Sequence, residues 1–190
     1  MSIREAIPED AAALAAVHVL SWRSAYRDLL PGPYLDALDP EERAAVWRDR
    51  LAAPDRPSVL LATEADGRVV AFSCFRAWTD TNSAGDSAGD SEDADGDSGA
   101  LDPATTAELA ALYALPEVWG AGVGRALLAA STEALVAAGF RTAALWVFAG
   151  NARGRRFYEA AGWRPDGATV RDVTGGRELE ELRYRRELFD

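Results

Sequence analysis

Leu14, Val17, Ser21, Trp22, Ala25 and Leu29 recur three and four residues apart near the start of the chain, the spacing that stacks side chains on one face of a helix. Pro8-Glu9-Asp10 ahead of them is a helix start with acid in the first turn, so the pattern predicts a helix from there to about Leu29. Residues 3–6 read as a short strand before it. Pro31-Gly32-Pro33 breaks the run, and residues 34–51 predict a second helix interrupted near Asp39-Pro40. The periodicity then changes to that of strands. Residues 59–62 and 69–75 are apolar runs joined through Asp66-Gly67, a hairpin signal, and residues 108–114 form a third run. Val123, Ala126, Leu127, Ala130 and Ala134 return to helical spacing over residues 122–138, stopped by Gly139. Residues 142–148 are a dense apolar stretch suited to a buried parallel strand reached by that crossover. Asn151 caps a last helix to about Ala161, and residues 168–173 and 179–187 flank the turn Thr174-Gly175-Gly176-Arg177. The order β-α-α-β-β-β-α-β-α-β-β is a mixed α/β class.

A chain of 190 residues is one domain's worth, so residues 1–190 are read as a single unit. The pattern lapses only between residues 79 and 104, where Ser, Gly, Ala and Asp dominate. Eight acidic residues and no Lys or Arg lie in residues 79–106, which leaves −3 of the net −11 for the rest of the chain. That segment predicts a disordered, solvated insertion. Asp93, Asp95 and Asp97 are spaced like the first ligands of a calcium loop, but Ser98 and Ala104 stand where its glycine and its glutamate belong, so no metal site is expected. The one cysteine, Cys74, excludes an intramolecular disulfide. The charged start and the lack of a long apolar run predict a cytoplasmic protein off the membrane; no nucleic-acid partner is expected, although with most of the acid in that one segment the remaining body is only mildly acidic.

Gly120, Gly122 and Gly124 stand between the apolar run of residues 108–114 and the helix that follows. Such a turn delivers a bare helix N-terminus, whose unpaired N–H groups and dipole suit an anion such as a phosphate. The Walker form requires Gly-Lys-Ser/Thr, absent here, and the dinucleotide form belongs at the first strand of a βαβ unit, whereas this loop lies past the middle of the chain.

Trp119-Gly120-Ala121-Gly122-Val123-Gly124 resembles the Gln/Arg-x-x-Gly-x-Gly/Ala loop of the GNAT superfamily of acyl-CoA N-acyltransferases, with Trp119 in place of Gln or Arg. Asn151 to Tyr158, continued to Gly162-Trp163, is similar to that family's Asn-x-x-Ala-x-x-Phe/Leu-Tyr-x-x-x-Gly-Phe block, with Gly154 in place of Ala. The resemblance implies the GNAT fold and an N-acetyltransferase using acetyl-CoA as acyl donor toward an amine of a small molecule or peptide. The alternative from another class is a catalytically silent coenzyme A-binding sensor or interaction module.

By the same resemblance, Gly120, Ala121, Gly122, Val123, Gly124 and Arg125 receive the cofactor's phosphates. Leu112, Tyr113 and Ala114 hold its pantetheine arm, and Asn151 adds a hydrogen bond. Tyr158 becomes the general acid for the departing thiolate. Glu108, at the start of the strand that feeds the loop, is the candidate base, with His18 and water as alternatives. His18, Trp22 and Tyr26 share a helical stripe and, again by resemblance, line the acceptor side. Arg153, Arg155 and Arg156 read either as a further phosphate contact or as a solvated helix face. The oligomeric state stays open, a homodimer included.

Overall fold

The structure is a computed structural model that describes residues 1–79 and 100–189. The expectation of disorder between 79 and 104 therefore falls mostly outside the described residues. Seven strands form one sheet in the order β1-β2-β3-β4-β5-β7-β6. They are β1 Ser2–Glu5, β2 Ser58–Thr63, β3 Val69–Ala77, β4 Thr106–Ala114, β5 Thr142–Phe148, β6 Arg164–Thr174 and β7 Arg177–Glu187. Helices α1 Ala11–Ala25 and α3 Pro40–Ala52 cover one face, with the short α2 Gly32–Asp36 between them. On the other face, α4 Val123–Ala137 buries Leu127 and Leu128, while α5 Ala152–Ala160 lays Phe157 and Tyr158 against Trp163 and Tyr184. This is the mixed α/β architecture expected.

Two boundaries differ from the periodicity. The first helix ends at Ala25 rather than Leu29: the N–H groups of Leu29 and Leu30 both turn back to the Tyr26 carbonyl. Leu30 is thereby buried against Trp22 and Leu35, a contact that continuing along the helix axis would forbid. Leu29 instead packs onto Gly150, where an added Cβ would lie 2.5 Å from it. The second helix is interrupted as expected at Asp39, whose side chain caps α3 by accepting from the Glu41 N–H at 2.7 Å.

The expected insertion also ends earlier than residue 104. Leu101 is buried against Trp78 and Ala144, and the Asp102 carbonyl accepts from the N–H groups of Thr105 and Thr106. Leu101, beside Trp78 and Trp146, and the turn at Asp102 anchor this segment to the sheet.

The feature that creates the site lies between β4 and β5. They are the sheet's parallel pair, and they pair over only Thr106/Thr142, Ala107/Ala143 and Glu108/Ala144. Immediately beyond, β4 carries an extra residue: Cys74 opposes Ala111 and Phe75 opposes Leu109, which leaves Ala110 as a bulge. A bulge bends its strand and sharpens its twist. The remainder of β4 therefore diverges from β5 and opens a gap in the sheet.

Candidate functional site

A cavity of about 610 Å³ runs through this gap from one face of the sheet to the other. Its α4/α5 side is made largely of backbone. The N–H of Leu115 donates to Val70, and bonded pairs alternate along an antiparallel ladder, so Tyr113 spends its backbone on Phe72 while Leu112 and Ala114 turn theirs toward the gap. The Ala114 carbonyl is already engaged, because Trp119 donates its Nε1–H to it at 2.8 Å. Trp119 thus pins the glycine loop to the end of β4.

Gly122 is the N-cap of α4, at φ 86°, and no side chain caps that helix end. Gly120 has φ 79°; both positions lie in the left-handed region that favours glycine. Gly124 has a different reason to be small, since an added Cβ would touch Phe157 at 3.5 Å and narrow the floor of the groove. Gly120, Gly122, Gly124 and Arg125 line the cavity. Two residues of the predicted loop do not: the Ala121 N–H is spent on the Val118 carbonyl, and the Val123 side chain is buried in the core. The arginines divide likewise. Arg153 stacks at 4.0 Å over Trp119 and lines the cavity, as does Arg156, but Arg155 ties α5 to the Tyr184 hydroxyl and the Ala149 carbonyl. These bare donors, small residues and mouth cations fit a diphosphate followed by an extended arm.

Tyr158 and Asn151 stand where the gap passes through the sheet. Burial pushes the Tyr158 phenol above its usual range, so it keeps its proton at neutral pH. Asn151 accepts from the Gly154 N–H at 2.9 Å as the cap of α5, and its side chain also hydrogen-bonds Tyr26. Burial raises the Tyr26 phenol as well, helped by the nearby Tyr158 and Glu181.

The α1 side is made of side chains. Trp22, Tyr26, Trp146 and Glu181 line it. His18, grouped with Trp22 and Tyr26 by spacing, does not join them: it is buried one turn away among Trp22, Trp47, Phe72 and Tyr113, its ring 4.8 Å from that of Tyr113. Periodicity puts His18 on the right stripe, but that end of the stripe sits over closed sheet. Glu108 is also outside the cavity lining. It is 2% exposed and accepts at Oε2 from Arg76 Nε at 2.8 Å, directly across the β3–β4 ladder.

The residue missed from the sequence is Glu181. It is 3% exposed, opposes Phe148 at the end of the β5–β7 ladder, and its Oε2 accepts no hydrogen bond among the described residues. Burial, followed by the charges of Asp172 and Glu108, raises its carboxyl to about 8. The available signal was alternation: Leu182 and Tyr184 pack in the core, so Glu181 and Arg183 had to occupy the opposite, equally buried face. Among the described residues there is no group of three or more His, Cys, Asp or Glu able to hold a metal, and no helix long and apolar enough to cross a membrane.

A family model described as the acetyltransferase (GNAT) family matches residues 19–163. Among curated proteins, the uncharacterized N-acetyltransferase YuaI of Bacillus subtilis (strain 168) is 33% identical over 151 residues, 80% of this chain and 73% of that protein. Among solved structures, the PaiA N-acetyltransferase of Thermoplasma acidophilum in complex with coenzyme A superposes with a TM-score of 0.69 at 19% identity, over 98% of each chain. The yncA protein of Salmonella typhimurium, solved with its cofactor acetyl-CoA, gives 0.67 at 21%, over 100% of this chain and 95% of that one.

Proposed function

The chain belongs to the acetyltransferase (GNAT) family, and we propose that it moves the acetyl group of acetyl-CoA onto a primary amine of a small molecule or peptide by direct transfer. The observation that carries this reading is a continuous cavity that joins a backbone-lined groove on one face of the sheet to an aromatic, carboxylate-bearing chamber on the other. Acetyl-CoA supplies the activated acyl carbonyl and a thiol leaving group. The N–H groups of the first turn of α4 hold phosphate, and the cleft-facing backbone of Leu112 and Ala114 orients the arm along β4. Tyr158, protonated at neutral pH, donates its proton at Oη to the departing sulfur. Cys74, the one thiol of the chain, is buried in the core, so no acyl-thiol relay lines the path.

The amine approaches from the α1 side, past Trp22 and Tyr26. It arrives protonated at neutral pH and must lose that proton before its nitrogen can attack. Free-thiol release from acetyl-CoA across a panel of monoamines, diamines and peptide amines tests the reading. Amine-dependent release that Tyr158→Phe suppresses supports it. Tight coenzyme A binding with no amine-dependent release would replace it with the silent binding module.

A further inference from the structure

The transfer reading requires a proton acceptor on the amine side, and we infer that Glu181, rather than Glu108, takes the proton from the incoming ammonium group. This inference rests on the transfer reading above. Glu181 lines the cavity and Glu108 does not. Its Oε2 is buried and accepts no hydrogen bond among the described residues, which leaves a lone pair to receive a proton at that atom. Glu108 commits the equivalent oxygen to Arg76. Glu181 also stands at the passage itself, opposite Phe148 where β5 ends, within electrostatic reach of Tyr26 and, through Tyr26, of Tyr158 on the donor side.

The titratable groups that act on Glu181 are Tyr26 at the C-cap of α1, Glu108 of β4 and Asp172 of β6, with Arg183 two residues along its own strand; Tyr158 of α5 lines the same cavity and acts on Tyr26. Arg183 donates to Asp166 at 2.7 Å, and Arg76 is ion-paired to Glu108. The charges that act on Glu181 are therefore carboxylates, and with burial they hold its carboxyl at about 8. A base of that strength exchanges protons with an alkylammonium far more evenly than an ordinary carboxylate does. Glu108 and Asp172 become positioning residues that keep Glu181 basic, and the aromatic walls of Trp22, Tyr26 and Trp146 suit the cationic acceptor before it gives up its proton. In the transfer, the amine nitrogen bonds to the acyl carbon as the carbon–sulfur bond breaks. One nitrogen proton goes to Glu181 and on to solvent. The sulfur takes a proton from Tyr158, which is restored by the second proton the nitrogen loses.

The test is a set of pH–rate profiles for wild type, Glu181→Gln and Glu108→Gln on an amine from the panel, with coenzyme A affinity and melting temperature as controls. Glu181→Gln is expected to lose about 10²- to 10⁴-fold in turnover with coenzyme A affinity unchanged. The wild-type rise in rate near pH 8 should vanish, leaving only the amine's own titration. Glu108→Gln should keep a pH-dependent rise but shift it to lower pH, because it removes one of the charges that raises Glu181. A Glu181→Gln profile matching wild type would overturn the inference while leaving the transfer reading intact. Absence of turnover in the wild-type arm would end the transfer reading, and with it any base. Should Glu181→Gln misfold, carbon NMR of the wild-type glutamate carboxyls decides: one titrating near 8 supports the inference, and all titrating below 6 overturns it.

Discussion

The two ends of the cavity are built by different means. On the α4/α5 side the donors belong to backbone: the first turn of α4 and the cleft-facing groups of Leu112 and Ala114. On the α1 side the work falls to side chains, namely Trp22, Tyr26, Trp146 and Glu181. A backbone site needs only the right turn and enough glycine, and so tolerates Trp119 where the motif has Gln or Arg. A side-chain site changes character with each substitution, and it places charge where burial alters that charge's chemistry. On the proposed reading, donor binding is therefore generic in this molecule and acceptor choice is particular to it.

The largest expected effect sits where the two ends meet. Tyr158→Phe keeps the ring and its packing against Phe157 and Trp163 while removing the proton, so turnover should fall by about 10²- to 10⁴-fold with donor affinity near wild type. Steady-state kinetics beside calorimetry with coenzyme A will show it, and unchanged turnover would remove the acid role. Next comes the backbone end. Gly122→Glu forces a side chain into a left-handed residue, at a cost of roughly 1–3 kcal/mol, and sets a carboxylate against the bare helix end. Coenzyme A affinity should drop by an order of magnitude or more. Calorimetry returning wild-type affinity would contradict a phosphate site at that turn.

Smaller effects test what holds the two ends apart. Leu101→Ala should destabilise the fold by about 2 kcal/mol in urea titration, by emptying its place against Trp78 and Ala144. Replacing residues 80–99 with a short Gly-Ser link should change stability by well under that, since closure entropy varies only by about 0.6 kcal/mol per doubling of loop length. A loss as large as that of Leu101→Ala would contradict this. Trp119→Phe keeps a ring beneath Arg153 but deletes the hydrogen bond to Ala114, worth about 1 kcal/mol, and should weaken coenzyme A binding modestly through a looser loop.

Stability itself carries a pH signature from the acceptor end. Glu181 titrates at about 8 in the fold against 4.5 for an ordinary glutamate, so the folded state binds that proton more tightly. Its contribution favours folding fully below about 4.5 and is lost as pH rises through 8. Urea unfolding across that range should show the decline in wild type and a shallower one in Glu181→Gln. Equal slopes would place the Glu181 carboxyl in the ordinary range.

Residues close in sequence were legible without coordinates. The glycine turn, its helix, the Asn151 cap and Tyr158 belong to local motifs, and local motifs are spelled by backbone preferences that act over a few residues. Sequence also set the strand and helix order, because a period of two or of three to four survives whatever the partners are. Contacts across the sheet were decided only in three dimensions. The Ala110 bulge opens the gap because of how β4 pairs with β3, and nothing in the sequence of β4 announces it. Glu108 and Arg76, thirty-two positions apart, become an ion pair through that same ladder. His18 and Trp22 share a stripe, yet only one of them reaches the gap. Glu181 gains its raised proton affinity from burial and from charges on β4 and β6, which chain order separates and sheet order gathers. Periodicity specifies which way a side chain points along its own element; what it faces depends on pairing between distant strands, and that pairing is what surrounds Glu181 with buried carboxylates and aromatic rings.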